Sequence, residues 1–289
     1  MGPTASGKSD LAIALAQKYD GEIISADSRQ VYRGMDIGTG KVTKAEQKLA
    51  RHHLLDVASP KRNYNVTHFV RDTKKIMADI KKRGKVPIIC GGTGFWIQAF
   101  IEDQPFPAVK PDPALREKLE KLSTEKLFAQ LKKKDPSRAK TIDPKNKVRL
   151  IRALEIIETL GTVPPAQKPK IKNQESCLLI VLNPPKETLD KNIETRLEKR
   201  LKKGMIAEVK RLREKGLSFK KLESFGLEYK YLALFLQGKI AKEEMKERLN
   251  FEIRHYAKRQ LTWLRRFEKM GAQLHWITEA KEVEKFIGK

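Results

Sequence analysis

Near the start of the chain the residues Gly2-Pro3-Thr4-Ala5-Ser6-Gly7-Lys8-Ser9 carry the pattern G-x-x-x-x-G-K-S. Glycines at those two places let backbone N–H groups turn inward around a phosphate, the lysine sets a point charge on it, and the hydroxyl of Ser9 suits Mg²⁺. The pattern establishes a phosphate ligand and leaves open whether phosphate is transferred. A second group, Asp27-Ser28-Arg29-Gln30, follows the apolar stretch 22–25. An acid just past the carboxyl end of a strand stands where open parallel sheets bind ligands. In phosphate-loop kinases such an acid holds Mg²⁺ or takes a proton from the acceptor; an N-cap or Asx-turn is the structural alternative. A third group, Gly91-Gly92-Thr93-Gly94-Phe95-Trp96, reads as a close approach of ligand or backbone, or as a plain strand-to-helix turn.

These groups need elements to hold them. Residues 10–19 show helical spacing (Leu11, Ala14, Leu15), 22–25 a short strand after Asp20-Gly21, 64–83 a helix with Phe69, Ile76 and Ile80 on one face, and 86–90 a buried strand. Alternating helix and strand implies a parallel sheet with crossover helices. With the phosphate loop, this predicts an α/β fold of the P-loop NTPase-like type: a parallel sheet, flanking helices and a helical insertion. The insertion is placed at residues 110–175, after a proline-rich stretch from Pro105 to Pro113, with helices over 114–122, 124–134 and 146–160 and a loop over 163–174. Residues 1–109 and 176–289 form the core, with a strand over 177–182, helices from 187 onward and a last strand at 273–277. A phosphate loop that begins at residue 2 has no apolar strand before it. The missing strand leads to the expectation of a truncated or misassigned start.

The chain has 289 residues, 61 Lys and Arg against 36 Asp and Glu, and a net charge of +25. Residues 1–109 hold 17 basic and 11 acidic side chains, and the remaining 44 against 25 make the second part about twice as basic per residue. An excess of this size points to a polyanionic partner, the alternative being a lysine-rich solvated surface. No run of about 18 apolar residues exists, so a membrane span is excluded. Cys90 and Cys177, both in apolar runs, read as reduced core residues of a cytoplasmic protein.

Taken in order, the motifs resemble the tRNA dimethylallyltransferase (tRNA isopentenyltransferase) family of the bacterial type without a C-terminal zinc finger. The matching elements are residues 2–9; Asp27-Ser28-Arg29-Gln30-Val31-Tyr32-Arg33-Gly34-Met35-Asp36-Ile37-Gly38-Thr39; His52-His53-Leu54-Leu55-Asp56; and Gly91-Gly92-Thr93-Gly94. Arg149-Leu150-Ile151-Arg152-Ala153-Leu154-Glu155 and Tyr256-Ala257-Lys258-Arg259-Gln260-Leu261-Thr262-Trp263 follow, and the likeness spans almost the whole chain.

The resemblance implies transfer of a dimethylallyl group from its diphosphate to N6 of the adenosine 3′ of the anticodon, with release of pyrophosphate. The phosphate loop, Gly2, Pro3, Thr4, Ala5, Ser6, Gly7, Lys8 and Ser9, then holds the donor, with Mg²⁺ on Ser9 and Arg196 over the diphosphate. Asp27 is the base, Thr4 bonds the donor near its bridging oxygen, and Lys8 stabilises the departing charge. Asp27, Ser28, Arg29 and Gln30 line the channel of the flipped base, while Thr93, Arg116, Arg149, Arg152 and Gly226 touch the tRNA anticodon stem-loop. The chain departs from the family at Asn192, where a second arginine is usual, at Val148, where a polar residue is, and at Leu227, in place of a tyrosine. Arg149 and Arg152 also suit a solvated helix face, and His52 and His53 read as packing and hydrogen-bonding residues. Trp263 is expected in the core, and a monomer is the simplest assembly. Two other functions fit parts of the pattern: an ATP-dependent phosphotransferase on a small molecule, and a non-catalytic RNA-binding protein.

Overall fold

The computed structural model describes residues 1–103, 105–165 and 177–287. Two compact units are present, Met1–Asp103 with Lys170–Lys289, and Gln104–Pro169.

The first unit begins with the phosphate loop and α1 (Lys8–Lys18), followed by β1 (Gly21–Ser25), α2 (Lys44–Leu49), β2 (His52–His53), α3 (Val66–Lys82), β3 (Val86–Cys90) and α4 (Gly94–Ile101). Strand β1 is central, parallel to β2 on one side and to β3 on the other, with Ile23 opposite Ile88 and Ser25 opposite Cys90. Its residues 22–25 are all buried because both of its faces are covered, and α1 packs Ala12, Ile13 and Ala16 against Ile23. The chain leaves β1 and β3 at the same edge, so residues 26–30 and 91–94 emerge side by side, where Ala26 N donates to Cys90 O (2.8 Å) and Thr93 N to Ala26 O (3.2 Å).

A second parallel pair joins β4 (Ile180–Leu182) to β5 (His275–Ile277). Met1 N donates to Ile180 O (2.6 Å) and Leu182 N to Met1 O (3.0 Å), so Met1 bonds on both sides of Val181. The strands expected over 177–182 and 273–277 are shorter, because pairing covers only three residues of each. Both cysteines are free; Cys90 packs against the core cluster beneath β1, whereas Cys177 lies outside β4 and is half-buried. Between these strands run α9 (Lys186–Lys202), α10 (Met205–Glu214), α11 (Phe219–Ser224), α12 (Leu227–Leu236) and the long α13 (Lys242–Lys269); a 3₁₀ helix, Ala280–Lys285, follows β5. Helix α13 buries Met245, Leu249, Ile253, Ala257, Gln260, Leu264 and Phe267, a stripe at three- and four-residue spacing with one polar member.

The second unit holds α5 (Pro113–Glu120), α6 (Thr124–Lys134), α7 (Pro136–Ala139) and α8 (Lys147–Leu160). Leu119, Leu127, Leu131, Leu150, Ile151 and Leu154 form a core of its own. Beyond residue 165 the loop expected over 163–174 lies outside the described residues. No helix among the described residues is long and apolar enough to cross a membrane.

The central strand carries one acid. Glu22, 3% exposed, accepts from both terminal nitrogens of Arg83 and lies 2.6 Å from His53 Nε2. The Arg83 hydrogen bonds, and then His53, hold its carboxyl down at about 2. His52 Nδ1 sits 2.8 Å from Ala50 O. A carboxylate whose folded pKa is depressed adds stability above its unfolded value near 4.3, and that stability is lost as pH falls toward 2. Glu22→Gln is therefore expected to cost on the order of 2 kcal/mol at pH 7 and to flatten the fall in stability between about pH 4.5 and 2. Urea titrations across that range check it, and an unchanged acid profile would rule the pairing out as a source of stability.

Candidate active site

The phosphate loop ends in Gly7, which N-caps α1 at φ 86° with no side-chain cap, leaving the first-turn N–H groups pointed at the loop interior. Lys8 folds across its own loop, and its Nζ donates to Pro3 O (3.0 Å). Burial pulls the pKa of that ammonium down. From α9, Arg196 Nη1 donates to Thr4 Oγ1 (3.2 Å) and Asn192 Nδ2 to Ala5 O (3.3 Å), so one helix lies along the loop. Burial first, and the neighbouring Arg200 second, lower Arg196 to about 10.

Helix α13 supplies the contact that sequence reasoning missed. Gln260 Oε1 accepts from Thr4 N (2.7 Å) and Gln260 Nε2 donates to Gly92 O (2.8 Å), so one buried amide ties the phosphate loop to the glycine loop. A Cβ on Gly92 would run into that amide, and one on Gly94 would run into the indole of Trp263. Close backbone approach, rather than backbone freedom, is what these glycines provide. Trp263 is half-buried and stacks on Phe267 with ring centres 5.2 Å apart. Gln260 belongs to the segment 256–263, and its place on the apolar stripe of α13 is the available signal.

Asp27 stands one residue past the buried Ala26. Its Oδ1 accepts from Arg29 N (2.8 Å) and Gln30 N (3.4 Å), the Asx-turn geometry that the sequence also allowed. Both bonds converge on one oxygen. Ser28 N donates to Thr93 Oγ1 (3.0 Å), Arg29 Nε to Phe225 O (2.7 Å) next to Gly226, and Gln30 Nε2 to Gly40 O (3.3 Å). Residues 36–38 are held by the buried Glu208, which accepts from Asp36 N (2.8 Å), Ile37 N (2.7 Å), Gly38 N (3.0 Å) and the Tyr229 hydroxyl (2.8 Å). Lys41, with a 3% exposed side chain, donates to Tyr32 O (2.9 Å), Asp36 (2.6 Å) and Asp56 (2.5 Å). Burial raises the Tyr256 phenol, and the charge of Asp27 raises it further.

These bonds join residues 2–9, 27–30, Thr93, Arg196 and the turn at Gly226 into one cluster in the first unit. The other anticipated residues lie in the second unit. There Arg116 donates Nε and Nη2 to the buried Glu155 (2.8 Å each), Arg152 pairs with the same carboxylate, and Arg152 Nη2 donates to Val109 O (2.8 Å). Both arginines are thus anchored internally, each with about a third of its side chain exposed. Arg149 is exposed at the start of α8.

A glycine-rich phosphate loop at the start of a helix, beside the carboxyl ends of parallel strands, defines a P-loop NTPase-like α/β protein. The IPP transferase family profile matches residues 30–267, and the chain belongs to that family. It is 43% identical over 283 residues to tRNA dimethylallyltransferase 2 of Treponema denticola, covering 96% of this chain and 94% of that one. The protein of the same name from Shewanella sediminis is 40% identical over 98% of this chain and 93% of its own length. The crystal structure of full-length tRNA isopentenylpyrophosphate transferase from Bacillus halodurans superposes with a TM-score of 0.72 at 33% identity, covering 99% of this chain and 93% of that one. A eukaryotic dimethylallyltransferase acting on tRNA superposes at 0.77 with 27% identity, covering 99% and 75%.

Proposed function

We propose that this chain transfers the dimethylallyl group of dimethylallyl diphosphate to N6 of the adenosine immediately 3′ of the anticodon in tRNA, releasing pyrophosphate. The observation that carries the reading is the single hydrogen-bonded cluster that joins a phosphate loop to a carboxylate with one oxygen tied down. In the reaction the amine nitrogen attacks the allylic carbon, the C–O electron pair leaves with the diphosphate, and Asp27 takes the proton from nitrogen. The loop N–H groups, Lys8 and Arg196 meet the charge that develops on the departing oxygens. Arg196 donates to Thr4 Oγ1, which leaves the threonine O–H to donate to the bridging oxygen.

Ser9, at the start of α1, offers a hydroxyl of the hard-oxygen kind that Mg²⁺ takes together with substrate phosphates. The bound ion would withdraw charge from the diphosphate. Asp27, Ser28, Arg29 and Gln30 line the channel for the flipped adenine, which leaves a single-stranded loop at a cost of a few kcal/mol, and Thr93 and Gly226 touch the tRNA. The unit Gln104–Pro169 serves as the tRNA-binding domain, with Arg116 and Arg152 preset by Glu155 and Arg149 reaching for phosphate. One chain carries every motif, which suits a monomer acting in the cytoplasm.

Incubation with dimethylallyl diphosphate, Mg²⁺ and either unmodified tRNA or AMP is expected to prenylate tRNA and leave AMP untouched. ATP turnover without prenyl transfer would sink the reading in favour of a phosphotransferase, and tRNA binding without transfer would favour a non-catalytic RNA-binding protein. Affinity for tRNA should fall steeply with salt, and Arg149→Ala should lower the slope of log K against log[salt] by about 1. A binding titration at several salt concentrations reads this directly; an unchanged slope removes Arg149 from the phosphate contacts.

A further inference from the structure

Helix α9 carries a second guanidinium, Arg200, one turn beyond Arg196 and on the same face. The ends of both side chains press on Gly40: a Cβ built there would overlap Arg200 Nη2 and Arg196 Nη2 together. The two groups therefore lie within van der Waals reach of each other. Gly40 has φ 60°, and its carbonyl is held by Gln30. Arg200 is 11% exposed along its side chain; its Nη1 lies 3.0 Å from Glu228 Oε1 and 3.5 Å from Gly38 O. Glu228 is itself 13% exposed, and burial raises its pKa, so its charged form depends on Arg200.

Like charges in contact and shielded from water are unfavourable unless an anion meets them. Lys8, Arg196 and Arg200 gather at the phosphate loop; of the acids that act on them, Asp10, Asp27 and Glu228, it is Glu228 that bonds a guanidinium, that of Arg200. Both arginines depress the Lys8 ammonium, although burial does so more. On the other side of Arg196, one turn earlier, Asn192 offers only a neutral amide, and that amide is spent on Ala5 O. The second cation beside Arg196 is thus on its C-terminal side.

We propose that Arg200 is the second arm of the clamp on the donor diphosphate, held in place by Glu228 and admitted by the missing side chain at Gly40. The inference rests on the prenyl-transfer reading above. A guanidinium fork bonds a diphosphate through paired N–H groups that a lysine lacks. Arg200 touches the ligand, whereas Glu228 and Gly40 act through Arg200.

The test is calorimetric titration of the full chain with magnesium pyrophosphate, alongside tRNA affinity and thermal midpoint. Arg200→Met is expected to weaken pyrophosphate binding about 10- to 100-fold, with the tRNA dissociation constant within about twofold of the parent and a lower melting temperature, because the buried Glu228 loses its partner. Should that variant not fold, Arg200→Lys answers the same question with a smaller loss in the same direction. Gly40→Ala, which pushes both guanidinium groups aside, should weaken pyrophosphate strongly in the parent and by less in an Arg200→Met background, where Arg196 alone is displaced. Parental pyrophosphate affinity in Arg200→Met, or fully additive losses in the double variant, overturns the role of Arg200 and leaves the donor reading intact. Failure of the unaltered chain to bind either pyrophosphate or dimethylallyl diphosphate overturns the donor reading itself.

Discussion

Asp27→Ala lowers the single-turnover rate of prenyl transfer by about two to four orders of magnitude while tRNA binding persists. An exocyclic amine is a poor nucleophile, and its nitrogen must shed a proton as the new C–N bond forms. In the cluster, Asp27 offers the carboxylate for that task. Its Oδ1 is taken by Arg29 N and Gln30 N, so the turn fixes the group and leaves the other oxygen for the amine. Alanine removes both the base and the turn. Asp27→Asn separates the two effects, because an amide oxygen still accepts from the same N–H groups yet takes no proton at neutral pH. Equal losses in both variants place the effect in proton transfer. A full rate in the asparagine variant would remove Asp27 as base and leave it a turn residue.

Lys8→Met is expected to cost about 10²–10³ in turnover, with weaker pyrophosphate binding and unchanged affinity for tRNA. Lys8 Nζ already points into the loop, bonded to Pro3 O, and has only to exchange that carbonyl for a phosphate oxygen. Burial lowers its pKa, which means that the ammonium is poorly hydrated and gains more from an anion than an exposed lysine would. Methionine keeps the apolar stem in place and removes the charge. Calorimetry with pyrophosphate and a single-turnover assay read the two consequences separately. Undiminished transfer by this variant would move the donor away from the phosphate loop.

Much of the first unit is legible in residue order, for physical reasons that differ from element to element. The strand Val86–Cys90 and, in the second unit, the helix Thr124–Lys134 match their anticipated limits because turn formers or caps bound them on both sides. Helix α2 escaped because it buries nothing and has no apolar period; it stands on the capping box of Thr43 and Glu46. Strand β2 is two residues long, below any periodic signal, and exists because β1 has a free side to pair. The phosphate loop was plain because its chemistry is local: every group it needs lies within eight residues. Its supports are not local. Gln260 meets Thr4 across 256 residues, Glu208 meets Asp36 across 172, and Arg200 reaches Glu228 across 28, so no window of sequence holds both partners. In the second unit Arg116 and Arg152 read as tRNA contacts in the sequence, and the acid that anchors them, Glu155, sits in a helix whose neighbours are apolar.

The amide at Gln260 has a direction. Its oxygen faces an N–H at Thr4 and its nitrogen faces a carbonyl at Gly92, so a half-turn of the group would set donor against donor at one end and acceptor against acceptor at the other. Glutamate at this place would press an anion on the Gly92 carbonyl, methionine would leave two buried backbone groups unpaired, and asparagine is one carbon short of spanning both loops. Of the two side-chain amides only glutamine reaches both loops, accepting at one and donating at the other. One letter in the middle of a charged helix is therefore dictated by two backbones that lie far from it in the chain.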